Sequence, residues 1–256
     1  MSGLEEPFAL GDTFLHKADP RYKLASAAVL SVAVAVGQTW MAPLAGLGIG
    51  VCLAGLARLQ PSRLARRLLA VNGFILFLCL VVPVTTPGEA VWSIGPLTAT
   101  REGLRLAGLT AVKSNAILLI LMALAATSTT AAVGKGLDGL GLPKSLTWIL
   151  LLCYRYAHVI LAEQRRLARA AALRGFQPKT NRHTYTTYAN MVGMTLVRSY
   201  ERSQRVSQAM VLRGFDGSFR SLEQAGASRR DRLLFACCLA AALVLAWIEI
   251  KTRFFA

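Results

Sequence analysis

Residues 24–57 contain no charged side chain, and that constrains the fold more than any single motif. A run of this length exceeds one core helix and suffices for two crossings of a hydrocarbon layer about 30 Å thick. The triplet Met41-Ala42-Pro43 divides it into two stretches of roughly seventeen residues, the short end of what spans a bilayer, and predicts a tight helical hairpin. In the second stretch Ala42, Gly46, Gly50 and Ala54 recur every fourth position. They form a small-residue ridge that lets another helix approach closely, whether from this chain or from a different subunit.

The rest of the chain repeats the pattern of apolar runs separated by basic loops. Hydrophobic residues make up 54% of the 256 positions and charged ones 16%, which argues for a polytopic membrane protein rather than a soluble one. The net charge of +16 lies beside the apolar runs instead of forming a separate basic domain, so it marks the cytoplasmic side and does not call for nucleic acid. Arg58, Arg63, Arg66 and Arg67 place one loop inside. An uncharged run from Leu68 to Gly88 follows, then a segment from Thr85 to Glu102 with Arg101 as its only basic residue, which suits an external loop. The N-terminus is then inside, and because it lacks a basic n-region the first span is retained. A fourth run extends from Leu106 to Val133, with Lys113 snorkelling to the outer interface. The last run, Leu233 to Ile250, follows Arg229–Arg232.

The expected architecture is all-α, with about five transmembrane helices and a cytoplasmic pair of helices. Residues 1–23 form a cytoplasmic N-terminal segment, 24–133 hold spans one to four, 134–232 form a cytoplasmic coupling domain, and 233–256 supply the last span and an external C-terminus. A glycine-rich linker opens the cytoplasmic block. Its Gly134, Gly136 and Gly139 match GxGxxG formally but follow a membrane helix, not a strand, and Gly136 stands where a Walker lysine motif needs Ser or Thr. From Leu146 to Cys153 the chain is apolar but too short to cross before Arg155. The cysteines Cys52, Cys79, Cys153, Cys237 and Cys238 lack metal or redox spacing and read as core or lipid-facing residues.

The cytoplasmic block contains two basic amphipathic segments that end alike. One closes on Leu173, Arg174, Gly175 and Phe176, the other on Leu212, Arg213, Gly214 and Phe215. Arg155, His158, Arg165, Arg166 and Arg169 share one helical face opposite Ala157, Ile160, Leu161, Ala168 and Ala171, while Arg174 lies near the stripe of Glu163 and Leu167. In the second segment Arg198, Arg202, Arg205 and Arg213 follow one stripe. Glu163 is placed to pair with Arg166 and Glu201 with Arg205, which supports the helices and not catalysis. Arg before Gly is an ordinary helix ending, since the cation suits the C-terminal dipole and Gly the left-handed turn. Two copies of LRGF on two basic helices call for more. A guanidinium at a rigid tip can grip a carboxylate in a partner's groove, and the following Phe can fill an adjoining apolar pocket.

Several stretches together resemble the T component of an energy-coupling factor transporter, most closely the cobalt or nickel type, the CbiQ family. They are LHKADPRYKL (Leu15–Leu24), TSTT (Thr127–Thr130), the GLPKSL turn, YRYAHVILAEQRRLARAAALRG and RSYERSQRVSQAMVLRGF. The resemblance implies a non-catalytic scaffold in the bacterial cytoplasmic membrane. Its two coupling helices would dock into two ATP-binding-cassette ATPase subunits through Arg174 and Arg213, with Gly175 and Gly214 as the turns. It also implies a separate substrate-binding membrane subunit that holds the metal, a possible small accessory membrane subunit, surrounding lipid, and no cofactor or metal site here. Consistently, His16, His158 and His183 are far apart in sequence. Leu173 and Leu212 stand where the family signature has Ala, which leaves their contact open. A T component for a vitamin such as biotin fits the same scaffold. A membrane enzyme acting on phospholipid or prenyl phosphate would need paired acids, and Asp138 stands alone in its linker. A basic surface for anionic headgroups is compatible with all of these but does not explain the repeated ends.

Overall fold

The computed structural model describes residues 13–94, 97–215 and 228–255, which excludes parts of the two segments expected inside, residues 1–12 and 216–227. The elements are α1 (Phe14–Lys17), α2 (Pro20–Val36), α3 (Met41–Leu56), α4 (Pro61–Thr85), β1 (Ala90–Ile94), β2 (Leu97–Thr100), α5 (Arg101–Leu124), α6 (Thr130–Gly139), α7 (Lys144–Leu173), α8 (Arg182–Leu212) and α9 (Arg229–Phe255). The chain is an all-α polytopic membrane protein apart from one short hairpin, and it divides into two compact units. Residues 143–224 form one; residues 6–142 and 225–256 form the other.

The larger unit is a bundle around α2. Asp19 caps that helix by accepting from the Arg21 amide at 3.0 Å, and Pro20 opens it, where a missing N–H costs nothing. Leu30 and Val34 of α2 pack with Ala116, Ile120 and Leu124 of α5 and with Leu245 of α9. Helix α3 lies against α2 and α5 along its small residues. Ala42, Gly46, Gly50 and Ala54 are all buried. A Cβ on Gly46 would come within 2.4 Å of Val34, and one on Gly50 within 3.0 Å of Leu119. The ridge is thus occupied by helices of this same chain, the close backbone approach that drives helix association where lipid and side chains are equally apolar.

Three features differ from the sequence reading. The fourth apolar run is two helices: α5 stops at Leu124, and buried Thr127 donates its hydroxyl back to the Ala123 carbonyl at 2.9 Å. Thr129 then caps α6 by accepting from the Ala132 amide. The glycine-rich linker is accordingly helical. A Cβ on Gly136 would sit 3.1 Å from Pro20, so this glycine lets α6 close on the start of α2, and residues 134–142 belong with the apolar helices. The segment expected as an external loop contains an antiparallel hairpin, with Ile94 opposite Leu97 and a register shift between Ala90 and Trp92. Thr100 ends the hairpin and caps α5, accepting from the Gly103 amide and donating to the carbonyls of Pro83 and Thr86.

Four described helices are long and apolar enough to cross a membrane: Pro61–Thr85, Arg101–Leu124, Lys144–Leu173 and Arg229–Thr252, with the 16-residue α3 as a shorter apolar helix. Helix α7 qualifies through its first half, which continues the Leu146–Cys153 stretch, although Arg155 and further arginines come after it. Lys113 does not simply reach for the interface. Its ammonium donates to the Ala35 carbonyl at 3.1 Å, closing the last turn of α2. Glu249, overlooked in the sequence because it stands alone at the end of the last run, accepts from the amides of Gln38 and Thr39 and from the Thr39 hydroxyl, and ties α9 to the α2–α3 turn.

Candidate functional site

The smaller unit consists of two long helices, α7 of 30 residues and α8 of 31. Asn181 starts α8 by accepting from the Thr184 amide at 2.9 Å. The helices run antiparallel: the C-terminal half of α7 shares a groove with the N-terminal half of α8, and the N-terminal half of α7 shares a second groove with the C-terminal half of α8. Between the grooves lies Glu163, buried and bonded to Arg198 of α8. Arg166 approaches the same carboxylate at 3.8 Å, one turn along α7. The Arg198 hydrogen bond, aided by the charges of Arg198, Arg166 and Arg202, holds the Glu163 carboxyl below the usual glutamate range.

This contact is only half legible in the sequence. The sequence pairs Glu163 with Arg166 and Glu201 with Arg205, and both pairs form, the second at 4.0 Å. The helical wheel, however, puts the apolar seam of α7 on Ala157, Ile160, Leu161, Ala168 and Ala171. In the structure, α7 faces α8 through Ile160, Glu163, Leu167 and Ala171, the stripe that continues to Arg174. A single acid in that stripe outweighs its apolar neighbours because a cation on α8 meets it. The signal available is the placement of the two charges, Arg198 at the middle of α8 and Glu163 not far from the middle of α7.

Both helices finish in the same backbone device. Phe176 N–H donates to the Ala171 carbonyl at 3.1 Å and Gly175 N–H to that of Ala172 at 3.0 Å; Phe215 N–H donates to Met210 at 3.0 Å and Gly214 N–H to Val211 at 2.9 Å. These are two Schellman endings, and they require the left-handed φ of +81° at Gly175 and +79° at Gly214. The phenylalanines turn back onto their own chain. Phe176 packs edge-on against His183 and Tyr188 of α8, while Phe215 lines the groove of about 620 Å³ with Tyr156 and Ile160 of α7. Leu173 and Arg174, and likewise Leu212 and Arg213, remain exposed.

The crossing separates the two tips. Arg174 stands eleven residues beyond Glu163 and Arg213 fifteen beyond Arg198, about 16 Å and 22 Å along helices that run in opposite directions. No one pocket can take both. Among the described residues no group of three or more His, Cys, Asp or Glu side chains could hold a metal ion, and His16, His158 and His183 are not brought together as one.

Comparison with known proteins agrees with this arrangement. The profile of the CbiQ family, described as cobalt transport protein, matches residues 11–224. The chain is 25% identical over 218 residues to the energy-coupling factor transporter transmembrane protein EcfT of Acidaminococcus fermentans, covering 81% of each chain. It is 24% identical over 237 residues to EcfT of Brevibacillus brevis, covering 88% of this chain and 87% of that one. EcfT of Heliobacterium modesticaldum is 25% identical over 217 residues, covering 80% and 81%. With most of its length matched, from the start of the bundle through both arginine tips, the chain belongs to the CbiQ family of cobalt transport proteins.

Proposed function

We propose that the chain is the transmembrane coupling subunit of an energy-coupling factor transporter, non-catalytic itself, and that it passes ATP-driven movement to a substrate-binding membrane subunit. The observation that carries this reading is the pair of identical helix tips on opposite sides of the Glu163–Arg198 crossing, each presenting Leu-Arg outward from a rigid Schellman turn. Two sockets on two ATP-binding-cassette subunits match two tips. When the ATPases close, the sockets approach, and a pair of helices pinned at one point converts that approach into a change of crossing angle. The bundle then carries the motion to the partner that holds substrate. The cargo is a cobalt or nickel ion, supported by the family description; the relatives' EcfT names support the transporter class. The arginine-rich loops put the N-terminus and residues 143–215 on the cytoplasmic side of a bacterial inner membrane.

The test is uptake of cobalt by cells expressing the complete transporter. Arg174→Ala and Arg213→Ala should each abolish most uptake, and Lys at either site should rescue only in part, since an ammonium lacks the planar fork. Arg169→Ala is the control on the exposed face of α7; loss equal to that of the tip variants would mean that a diffuse basic surface, not the tips, does the work.

A further inference from the structure

Among the exposed large apolar side chains described, Leu173 and Leu212 are the two most exposed, at 90% and 88% of their full surface. Other strongly exposed leucines, such as Leu69, Leu76 and Leu80 of α4, stand in an apolar run that lipid can cover. Leu173 and Leu212 stand in the basic unit instead, each the last helical residue before an arginine. The Schellman hydrogen bonds fix each leucine relative to that arginine, so the pair is displayed as one rigid element. The adjoining phenylalanine is not available for a partner at the first tip, because Phe176 is engaged by His183 and Tyr188. Nothing described on this chain covers either leucine.

We infer that Leu173 and Leu212 are the apolar anchors of the two tips, each seating in a small apolar pit beside the carboxylate that receives Arg174 or Arg213. The inference rests on the coupling role proposed above and names what the socket on each ATP-hydrolysing subunit must contain. The occupant is a protein socket because an apolar side chain and a guanidinium are offered together, twice, in the same backbone geometry, and a site built to bury both must supply an apolar wall and an acid side by side. The leucines would then set which ATPases fit: a socket too shallow for a leucine is excluded even when its acid is in place.

The experiment measures binding of the ATP-binding-cassette subunits encoded beside this chain to the purified, detergent-solubilised protein. Leu173→Ala with Leu212→Ala removes the anchors at exposed helical positions where Ala is the better helix former, so the chain remains folded. Binding should weaken roughly tenfold or more with both arginines intact, as expected when a buried leucine is truncated, and Met at both positions should restore it to within about threefold of the parent. If the leucine pair binds the ATPases like the parent while Arg174→Ala with Arg213→Ala does not, the anchor assignment is wrong and the coupling role stands. If neither pair of changes matters, the coupling role itself falls. If the leucine pair binds the ATPases normally but loses affinity for anionic lipid vesicles, lipid and not the ATPase is what the leucines meet, and the inference is overturned.

Discussion

The bundle and the crossed helix pair use apolar residues in opposite ways. In the bundle, small residues at Ala42, Gly46 and Gly50 bring α3 onto α2 and α5, and the largest buried side chains include Leu30, Val34, Ile120 and Leu124. In the helix pair, Glu163 with Arg198 makes the contact, two grooves flank it, and Leu173, Leu212, Val211, Tyr200 and Leu196 face outward. One unit satisfies itself. The other is stable as two long helices but leaves much of its apolar surface to other molecules, which is the expected division between a scaffold and a part that docks.

The strongest challenge to this contrast is a bulky side chain in the ridge. Gly46→Leu must displace Val34, which a Cβ alone would approach to 2.4 Å, whereas Gly48 on the same helix has open space around it. Overpacking of this kind costs about 1–3 kcal/mol or more. Size-exclusion chromatography in detergent should show Gly46→Leu aggregated or absent and Gly48→Leu behaving like the parent. Equal behaviour of the two would mean that α3 does not depend on its small residues for packing.

A smaller effect is expected at the crossing. Glu163→Gln should leave the bundle folded and broaden the distance distribution between spin labels at Leu173 and Leu212, because Arg198 loses its anionic partner. Exchanging the charges, Glu163→Arg with Arg198→Glu, should narrow it again. An unchanged distribution in Glu163→Gln would show that groove contacts, not the ion pair, fix the crossing. The pH dependence has a definite sign. Because the folded carboxyl is held below its ordinary range, its contribution is complete above the ordinary glutamate pKa and is lost as pH falls through the depressed value. The same label pair should therefore report a constant distance from neutral pH down to mild acid and broaden only below the usual glutamate range.

The physics of each signal decides how far the sequence can be read. Apolar runs and arginine loops are long, redundant patterns, so the bundle helices are directly legible, and so are the LRGF ends, where an αL glycine is a local requirement. The split between α5 and α6 is hidden because TSTT reads as the polar end of a span, although Thr129 is also the N-cap of α6. The hairpin is hidden because Val91, Trp92 and Ile94 stand beside Gly95-Pro96, and that composition reads as loop rather than strand. Glu163–Arg198 and Glu249 with the α2–α3 turn join residues far apart in sequence, and no local pattern announces such a pairing.

The least disruptive prediction concerns sidedness. With the five cysteines replaced, a single cysteine at Ser93 should label with an impermeant thiol reagent in intact cells and one at Thr180 should not, both variants remaining active. Labelling of Thr180→Cys alone would invert the orientation and place the helix pair outside.

The central claim is that both arginine tips hold the ATPases, and the most direct measurement is the amount of ATP-binding-cassette subunit retained when the tagged chain is purified from membranes. Removing one partner of a buried, hydrogen-bonded charge pair costs about 2–5 kcal/mol, enough to weaken each socket tens- to thousands-fold. Arg174→Ala and Arg213→Ala should each retain reduced amounts, the other tip still being seated, and the double variant should retain none. A double variant that retains the ATPases at the level of the parent chain contradicts the account.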